Sequence, residues 1–216
     1  MDSREAILES VRSALGRKLG QKPLPPPEPL LRVRYESMAE RLSVFQSKFI
    51  GTVTLADGCS TARDAVEGLL AGRTAVASNH AFLAQCGVPE IPGVAKGTTN
   101  QEELRNSCAS SAVGITSAYC LLAETGSIVL RACPQEPRLL SLLPPVHIAL
   151  VSIDRLLTNL DEMLSMTPRP VDFDSSAMVV ITGPSRTADI EQFLVRGVHG
   201  PGEVHVIVVQ GKIPNQ

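Results

Sequence analysis

From Gly51 onward, short apolar runs rich in β-branched residues alternate with stretches of helical character, and this alternation is the strongest constraint on the fold. Strands are expected over residues 52–56, 74–77, 112–116, 127–131, 147–151, 177–182 and 204–209. Helices are expected over 60–70, 80–86, 117–123, 138–143, 153–164 and 188–195, with Leu156, Leu157, Leu160 and Met163 facing inward on the fifth. The Pro- and Gly-bearing stretch 89–99 and the Pro- and Asp-bearing stretch 167–176 read as loops. Elements in this order build an α/β fold, a mostly parallel sheet with helices on its faces. Ligands of such sheets bind beyond the carboxyl ends of the strands, which directs attention to Thr116, Thr182 and the loop before Ser152.

The first 50 residues follow a different rule. Asp2 and Glu5 resemble a capping box, and Ile7, Leu8, Val11, Ala14 and Leu15 form one apolar stripe of a helix ending near Gly20. Pro23, Pro25, Pro26, Pro27 and Pro29 then make a stiff extended linker. A second helix carries Tyr35, Met38, Ala39, Leu42, Phe45 and Phe49 on one face. The expected division is an N-terminal helical arm with its linker over 1–50 and an α/β domain over 51–216. The stripe of the arm is too apolar to stay solvated and should dock, on its own domain or on another subunit.

Composition excludes several classes. A net charge of -2 and 3% aromatic residues leave neither the basic surface nor the stacking platform of a general nucleic-acid binder. No apolar run approaches the length of a bilayer span, and the N-terminus lacks the apolar core of a signal peptide, so a cytoplasmic protein is expected. The five cysteines, Cys59, Cys86, Cys108, Cys120 and Cys133, contain no Cys-x-x-Cys pair. That spacing suits neither a zinc ribbon nor an iron–sulfur cluster, so no cofactor or metal is expected on this chain.

The densest motif follows the 177–182 strand. Gly183 permits a tight turn and Pro184 stops the strand. Ser185, Arg186 and Thr187 then fall where the free N–H groups of the expected helix would point, a site for a small carboxylate or phosphate. Ser, Thr and Pro are also ordinary helix-start residues, but Arg186 and the nearby His199 are not needed for capping. Asp189 and Glu191 suit a first helical turn, and Asp189 would fix the Arg186 guanidinium if both face one cleft.

Four strings together resemble the LUD-domain family, and within it the lactate-utilisation protein C (LutC, YkgG-like) group. They are Gly114-Ile-Thr-Ser-Ala118, Ala123-Glu-Thr-Gly-Ser127, Thr182-Gly-Pro-Ser-Arg-Thr-Ala-Asp-Ile-Glu191 and Gly197-Val-His-Gly-Pro201. The resemblance implies a fold like the NagB/RpiA/CoA-transferase group and a role in oxidising L-lactate to pyruvate. It also implies partner subunits that carry the iron–sulfur clusters. A homo-oligomer, with the cleft completed by a second copy, stays open.

Glu124 is the first candidate for chemistry, as a general base on the Ala-Glu-Thr-Gly turn, though it could equally accept hydrogen bonds from the turn. His199, between glycines, could orient a carboxylate or exchange a proton. Thr182, Gly183, Ser185, Arg186, Thr187, Asp189 and Gly200 complete the expected binding set. His147 and His205 read as core or edge histidines. The alternative to a lactate-oxidation component is a free-standing sugar-phosphate isomerase or CoA-transferase-like enzyme using Glu124, whose turn is similar to the Glu-Asn-Gly turn of some CoA transferases.

Overall fold

The computed structural model describes residues 3–16, 35, 37–166, 177–188, 194–196 and 199–210. Gly20, the proline-rich linker, the 167–176 loop, Asp189 and Glu191 lie outside them. The chain divides into two units, Met1–Leu30 and Leu31–Gln216. The first holds α1 (Ser3–Ala14), with Glu5 in its first turn and Arg12 in its last, each suited to the helix dipole.

The second unit opens with α2 (Met38–Lys48), whose N-cap Ser37 accepts the Glu40 N–H. There follow β1 (Thr52–Ala56), α3 (Cys59–Leu70), β2 (Ala75–Ala77), α4 (Ala81–Gln85), β3 (Val94–Lys96), α5 (Gln101–Ser110) and β4 (Val113–Ser117). Next come β5 (Cys120–Leu122), β6 (Ser127–Ala132), β7 (Val146–Ser152), β8 (Leu156–Leu157) and α6 (Leu160–Met166). The chain continues with β9 (Ala177–Ile181), β10 (Arg186–Ala188), β11 (Leu194–Arg196) and β12 (Glu203–Val209).

Six strands form one parallel sheet in the order β1-β12-β7-β4-β2-β3. All seven residues of β7 are buried, as a strand covered on both faces requires. On one face Ala62, Val66 and Leu70 of α3 and Phe82 and Leu83 of α4 pack against Ile115, Ile148, Leu150 and Ile207. The other face, carrying Ala149, Val151, Val204, Val206 and Val208, is covered by Phe45, Phe49, Leu121, Ile128 and Leu130. Phe45 and Phe49 stack with ring centroids 5.4 Å apart, so α2 shares the core of the α/β unit. Arg41 of α2 adds bonds to the Leu156 carbonyl and to Glu162, at 3.2 and 3.3 Å.

That second cover is a sheet in its own right, ordered β8-β5-β6-β9, and it corrects several expectations. Residues 117–123 are not helical; they contain β5, antiparallel to β6. Cys120, Leu121 and Leu122 are all buried, and a short apolar run buried on every side carries no period that separates strand from helix. The expected 153–164 helix is instead a single 3₁₀ turn, Ile153–Arg155, then β8 and α6. Residues 138–143 form only a 3₁₀ turn, Arg138–Ser141. The expected 89–99 loop holds a 3₁₀ turn, Val88–Glu90, and the edge strand β3. Helix α5 was not anticipated. Its N-cap Asn100 accepts the Glu102 and Glu103 N–H groups, and it buries only Leu104 and Cys108, too thin a stripe to stand out.

The expected 188–195 helix is also replaced. Arg186–Ala188 pairs antiparallel with Leu194–Arg196, with Thr187 in register with Val195. Thr182 does follow a strand, but β9 belongs to the smaller sheet, antiparallel to β6. The connection out of β2 leads to β3 on one side, whereas that out of β4 leads on to β7 on the other. The carboxyl ends of β2 and β4 therefore flank the topological switch point, where departing loops leave a crevice.

Candidate functional site

At the switch point β2 runs into Ser78 and β4 ends at Ser117. A tight turn lies over both: Cys133 and Glu136 exchange backbone hydrogen bonds of 3.2 and 3.0 Å, and the Asn79 N–H donates to the Gln135 carbonyl at 2.9 Å. Pro134 suits the first central position of such a turn. The turn drives Glu136 inward until it is 4% exposed. Its Oε2 accepts the Ser78 hydroxyl at 2.8 Å and the Ser117 N–H at 2.9 Å. Its Oε1 is buried with no hydrogen-bond partner. Burial pushes the Glu136 carboxyl up to about 8, against the opposing pull of the Ser117 and Ser78 bonds. The group is therefore largely protonated at neutral pH, and Oε1 can serve as a donor.

Glu136 lines a cavity of about 390 Å³ together with His80, Tyr119, Arg131, Cys133 and Arg155. The chain crosses here from the parallel sheet to the smaller one, placing Tyr119 just before β5. Its ring lies beneath two guanidiniums: Arg131 of β6 at 4.7 Å and Arg155, from the 3₁₀ turn before β8, at 5.7 Å. Each guanidinium makes a cation–π contact with the ring, which ties Arg131 and Arg155 to this wall of the cavity. His80 Nδ1 accepts the Phe82 N–H at 3.2 Å, which leaves the proton of the neutral ring on Nε2. Burial holds that imidazole below the ordinary histidine value. The cavity wall thus brings two guanidiniums, an aromatic ring, an imidazole and a buried carboxyl together.

The expected site residues gather elsewhere. The Ser127 hydroxyl bonds to those of Thr125 and Thr182, at 2.7 and 3.0 Å. The Ser185 N–H donates to the Pro201 carbonyl at 2.9 Å, and a Cβ on Gly200 would stand 3.3 Å from the Ser185 Cβ. The structure therefore unites the 123–127, 182–185 and 199–201 motifs, but around the amino ends of β7 and β12. Gly202, next to Pro201, donates to the Pro145 carbonyl just before β7. A Cβ on Gly183 would come within 2.7 Å of Ile50, so that glycine serves close packing. Glu124 is half-buried, with its N–H on the Thr158 carbonyl at 2.9 Å, and it lines neither the cavity above nor the larger one across the Cys133–Pro134 backbone. His199 is exposed. The helix dipole expected to favour an anion at Ser185–Thr187 is absent, because Arg186 begins a strand.

His147 is a core histidine, fully buried in β7 and bonded through Nε2 to Thr116 Oγ1 at 2.8 Å; burial, with His205 nearby, holds it down at about 3. Sequence reasoning missed Glu136, Tyr119, Arg131 and Arg155. The available signal was a charged residue within or beside an apolar strand, Arg131 and Arg155, together with a carboxylate between two prolines, Glu136.

No helix among the described residues is long and apolar enough to cross a membrane. The family model described as "LUD domain" matches residues 51–209. The chain is similar to "Lactate utilization protein C" of Macrococcus caseolyticus, 41% identical over 104 residues, 46% of this chain and 45% of that one. It is similar to the protein of the same name from Bacillus subtilis, 39% identical over 103 residues, 46% of this chain and 43% of that one. The chain spans less than half the length of these relatives. "Uncharacterized protein YkgG" of Escherichia coli is 28% identical over 97% of this chain and 99% of its own. A DUF162 family protein from Deinococcus radiodurans, known from a crystal structure at 1.70 Å, shares the fold with a TM-score of 0.61 at 21% identity, over 80% of this chain and 98% of that one. Since the matched segment runs from just before β1 to the end of β12, the whole parallel sheet, the chain belongs to the LUD-domain family.

Proposed function

We propose that this chain is a cytoplasmic, substrate-handling component of an L-lactate-oxidising system, and that it holds a small carboxylate against Arg131 and Arg155. Electrons leave through partner subunits that carry the iron–sulfur clusters, since the cysteines of this chain are dispersed free thiols. The names of the relatives support the pathway. One observation carries the site: two guanidiniums converge on the Tyr119 ring in a cavity at the switch point of the parallel sheet. A planar guanidinium matches a carboxylate with two parallel N–H bonds.

The experiment is growth of a deletion strain on L-lactate as sole carbon source, in a background without other lactate oxidases. Wild type should rescue it, and an equally abundant Arg131→Ala/Arg155→Ala variant should not. In calorimetry the double variant should bind L-lactate or pyruvate at least about 100-fold more weakly, the consequence of losing charged hydrogen bonds. Rescue by the double variant overturns the site. Loss of rescue only with Arg186→Ala would move the anion to the 182–200 motifs. Normal growth of the deletion strain overturns the pathway.

A further inference from the structure

The five cysteines are dispersed along the sequence, but the fold brings two of them into contact. Cys59 opens α3, just beyond the end of β1, and Cys86 caps the carboxyl end of α4. Both side chains belong to the apolar cluster that α3 and α4 form on the first face of the parallel sheet. There the two thiols are hydrogen-bonded to each other. A second contact marks the same approach. Arg63, one turn along α3 from Cys59, lies against Gly87, the residue after Cys86, where an added Cβ would stand 3.4 Å from the Arg63 Cδ. Cys108 and Cys120 sit in other clusters, and Cys133 lies on the turn over the switch point.

The two thiols are unequal. Cys59 is half-buried, so a dissolved reagent reaches it, whereas Cys86 is 3% exposed. Burial raises the Cys86 thiol, and so does its neighbour Cys59. A reversible dithiol divides its work in this way: the outer sulfur meets the oxidant, and the inner one resolves the product. Glycines flank the pair, Gly58 before Cys59 and Gly87 after Cys86. They leave the backbone free to settle into the narrow geometry that a disulfide demands.

We propose that Cys59 and Cys86 form a redox-active dithiol site whose substrates are low-molecular-weight disulfides. Cys59 Sγ, as the thiolate, attacks one sulfur of the small disulfide; that S–S bond breaks, one small thiolate leaves, and Cys59 holds a mixed disulfide. Cys86 Sγ then attacks the Cys59 sulfur, the mixed disulfide breaks, and the second small thiolate leaves. The protons of the two cysteines end on the two small thiols. The protein sulfurs lose two electrons and the small disulfide gains them. In a reducing compartment such a bond is transient, as redox sensing requires. It ties the first turn of α3 to the end of α4, whose N-cap His80 lines the cavity at the switch point. The oxidation state of the pair therefore reaches that wall through one short helix.

The test treats the full reduced chain with oxidised glutathione at pH 8, quenches it in acid, blocks the remaining thiols after unfolding, and maps the peptides by mass spectrometry. Wild type should give a Cys59–Cys86 cross-linked peptide that a reducing agent removes, with Cys108 and Cys120 blocked as free thiols. The oxidised chain should melt at least about 3 °C higher, because closing the loop that carries β2 and α4 restricts the unfolded chain. Cys86→Ser should stop with glutathione on Cys59, held at least about tenfold longer than in wild type, since the intramolecular attack is gone. Cys59→Ser should leave Cys86 unmodified. A wild-type Cys59 that stays free, keeps its glutathione, or pairs with Cys133 or a second chain overturns the site, and wild type alone decides this even where a serine variant does not fold. An oxidised chain that melts at or below the reduced one overturns it too, because the bond would then form at the expense of the fold.

Discussion

Replacing Glu136 with Gln should flatten part of the pH dependence of folding stability. The substitution keeps an acceptor for Ser78 Oγ and the Ser117 N–H but removes a group that binds a proton. In the open chain this carboxyl titrates at 4.5, and in the fold burial raises it to about 8. The folded state therefore binds the proton more tightly. Its stabilising contribution is fully present below pH 4.5 and is lost as the pH rises through about 8. At about 1.4 kcal/mol per tenfold change in proton affinity, about 3–4 kcal/mol disappears between pH 5 and pH 8.5. The buried histidines slope the other way. His147, held neutral down to about 3, contributes stability above its ordinary value of 6.5 that is lost as the pH falls towards 3. That contribution is common to both proteins and cancels in their difference. Urea unfolding across pH 5–8.5 should show the variant gaining about 3–4 kcal/mol relative to wild type as the pH rises. Parallel profiles, with a difference constant to about 0.5 kcal/mol, would refute the protonated, buried carboxyl.

Other substitutions test the frame around the site. Phe45→Ala, which empties a fully buried position stacked on Phe49, should cost about 3–5 kcal/mol in urea unfolding. Gly126→Ala should destabilise by more than about 1 kcal/mol: its φ is +64° and a Cβ would run into the Phe49 backbone nitrogen, so an unchanged thermal midpoint would contradict the packing. Ellman's reagent at pH 8 should modify at most Cys59 and Cys133 quickly, because Cys86, Cys108 and Cys120 are buried. Burial pushes the Cys120 thiol up to about 12, and all five cysteines should react once the chain is unfolded.

The parallel sheet was legible because its strands are continuous β-branched runs between helices with clear apolar stripes: β1, β4, β7 and β12 fall within one or two residues of their expected bounds. In the smaller sheet β6 and β9 were legible too, but β5 and β8 were not. Cys120–Leu122 is apolar at every position and Leu156–Leu157 is two residues long, so periodicity had nothing to read in either. The 188–195 stretch fits a helical pattern locally, and strand pairing at Thr187 and Val195 prevailed. The same limit hid the site. Glu136 acquires its role from Ser78, 58 positions earlier, and Ser117, 19 positions earlier, and only sheet order brings those three together. The motif strings were found readily, and they proved to be neighbours through Ser127–Thr182 and Ser185–Pro201. They are local in sequence, however, whereas the cavity is assembled from strand ends far apart in the chain.

The position of α2 bears on where this domain can be cut. The family boundary at residue 51 passes just beyond Phe49, which is buried with Phe45 against Ile128, Val204 and Val206. A chain begun at that boundary would keep every strand yet present water with an apolar trough running along the second face of the parallel sheet. Troughs of that kind recruit a second copy or aggregate. The matched outline of the family and the smallest piece that folds alone are therefore different objects, and a fusion or excision that respects only the first will yield a sticky protein.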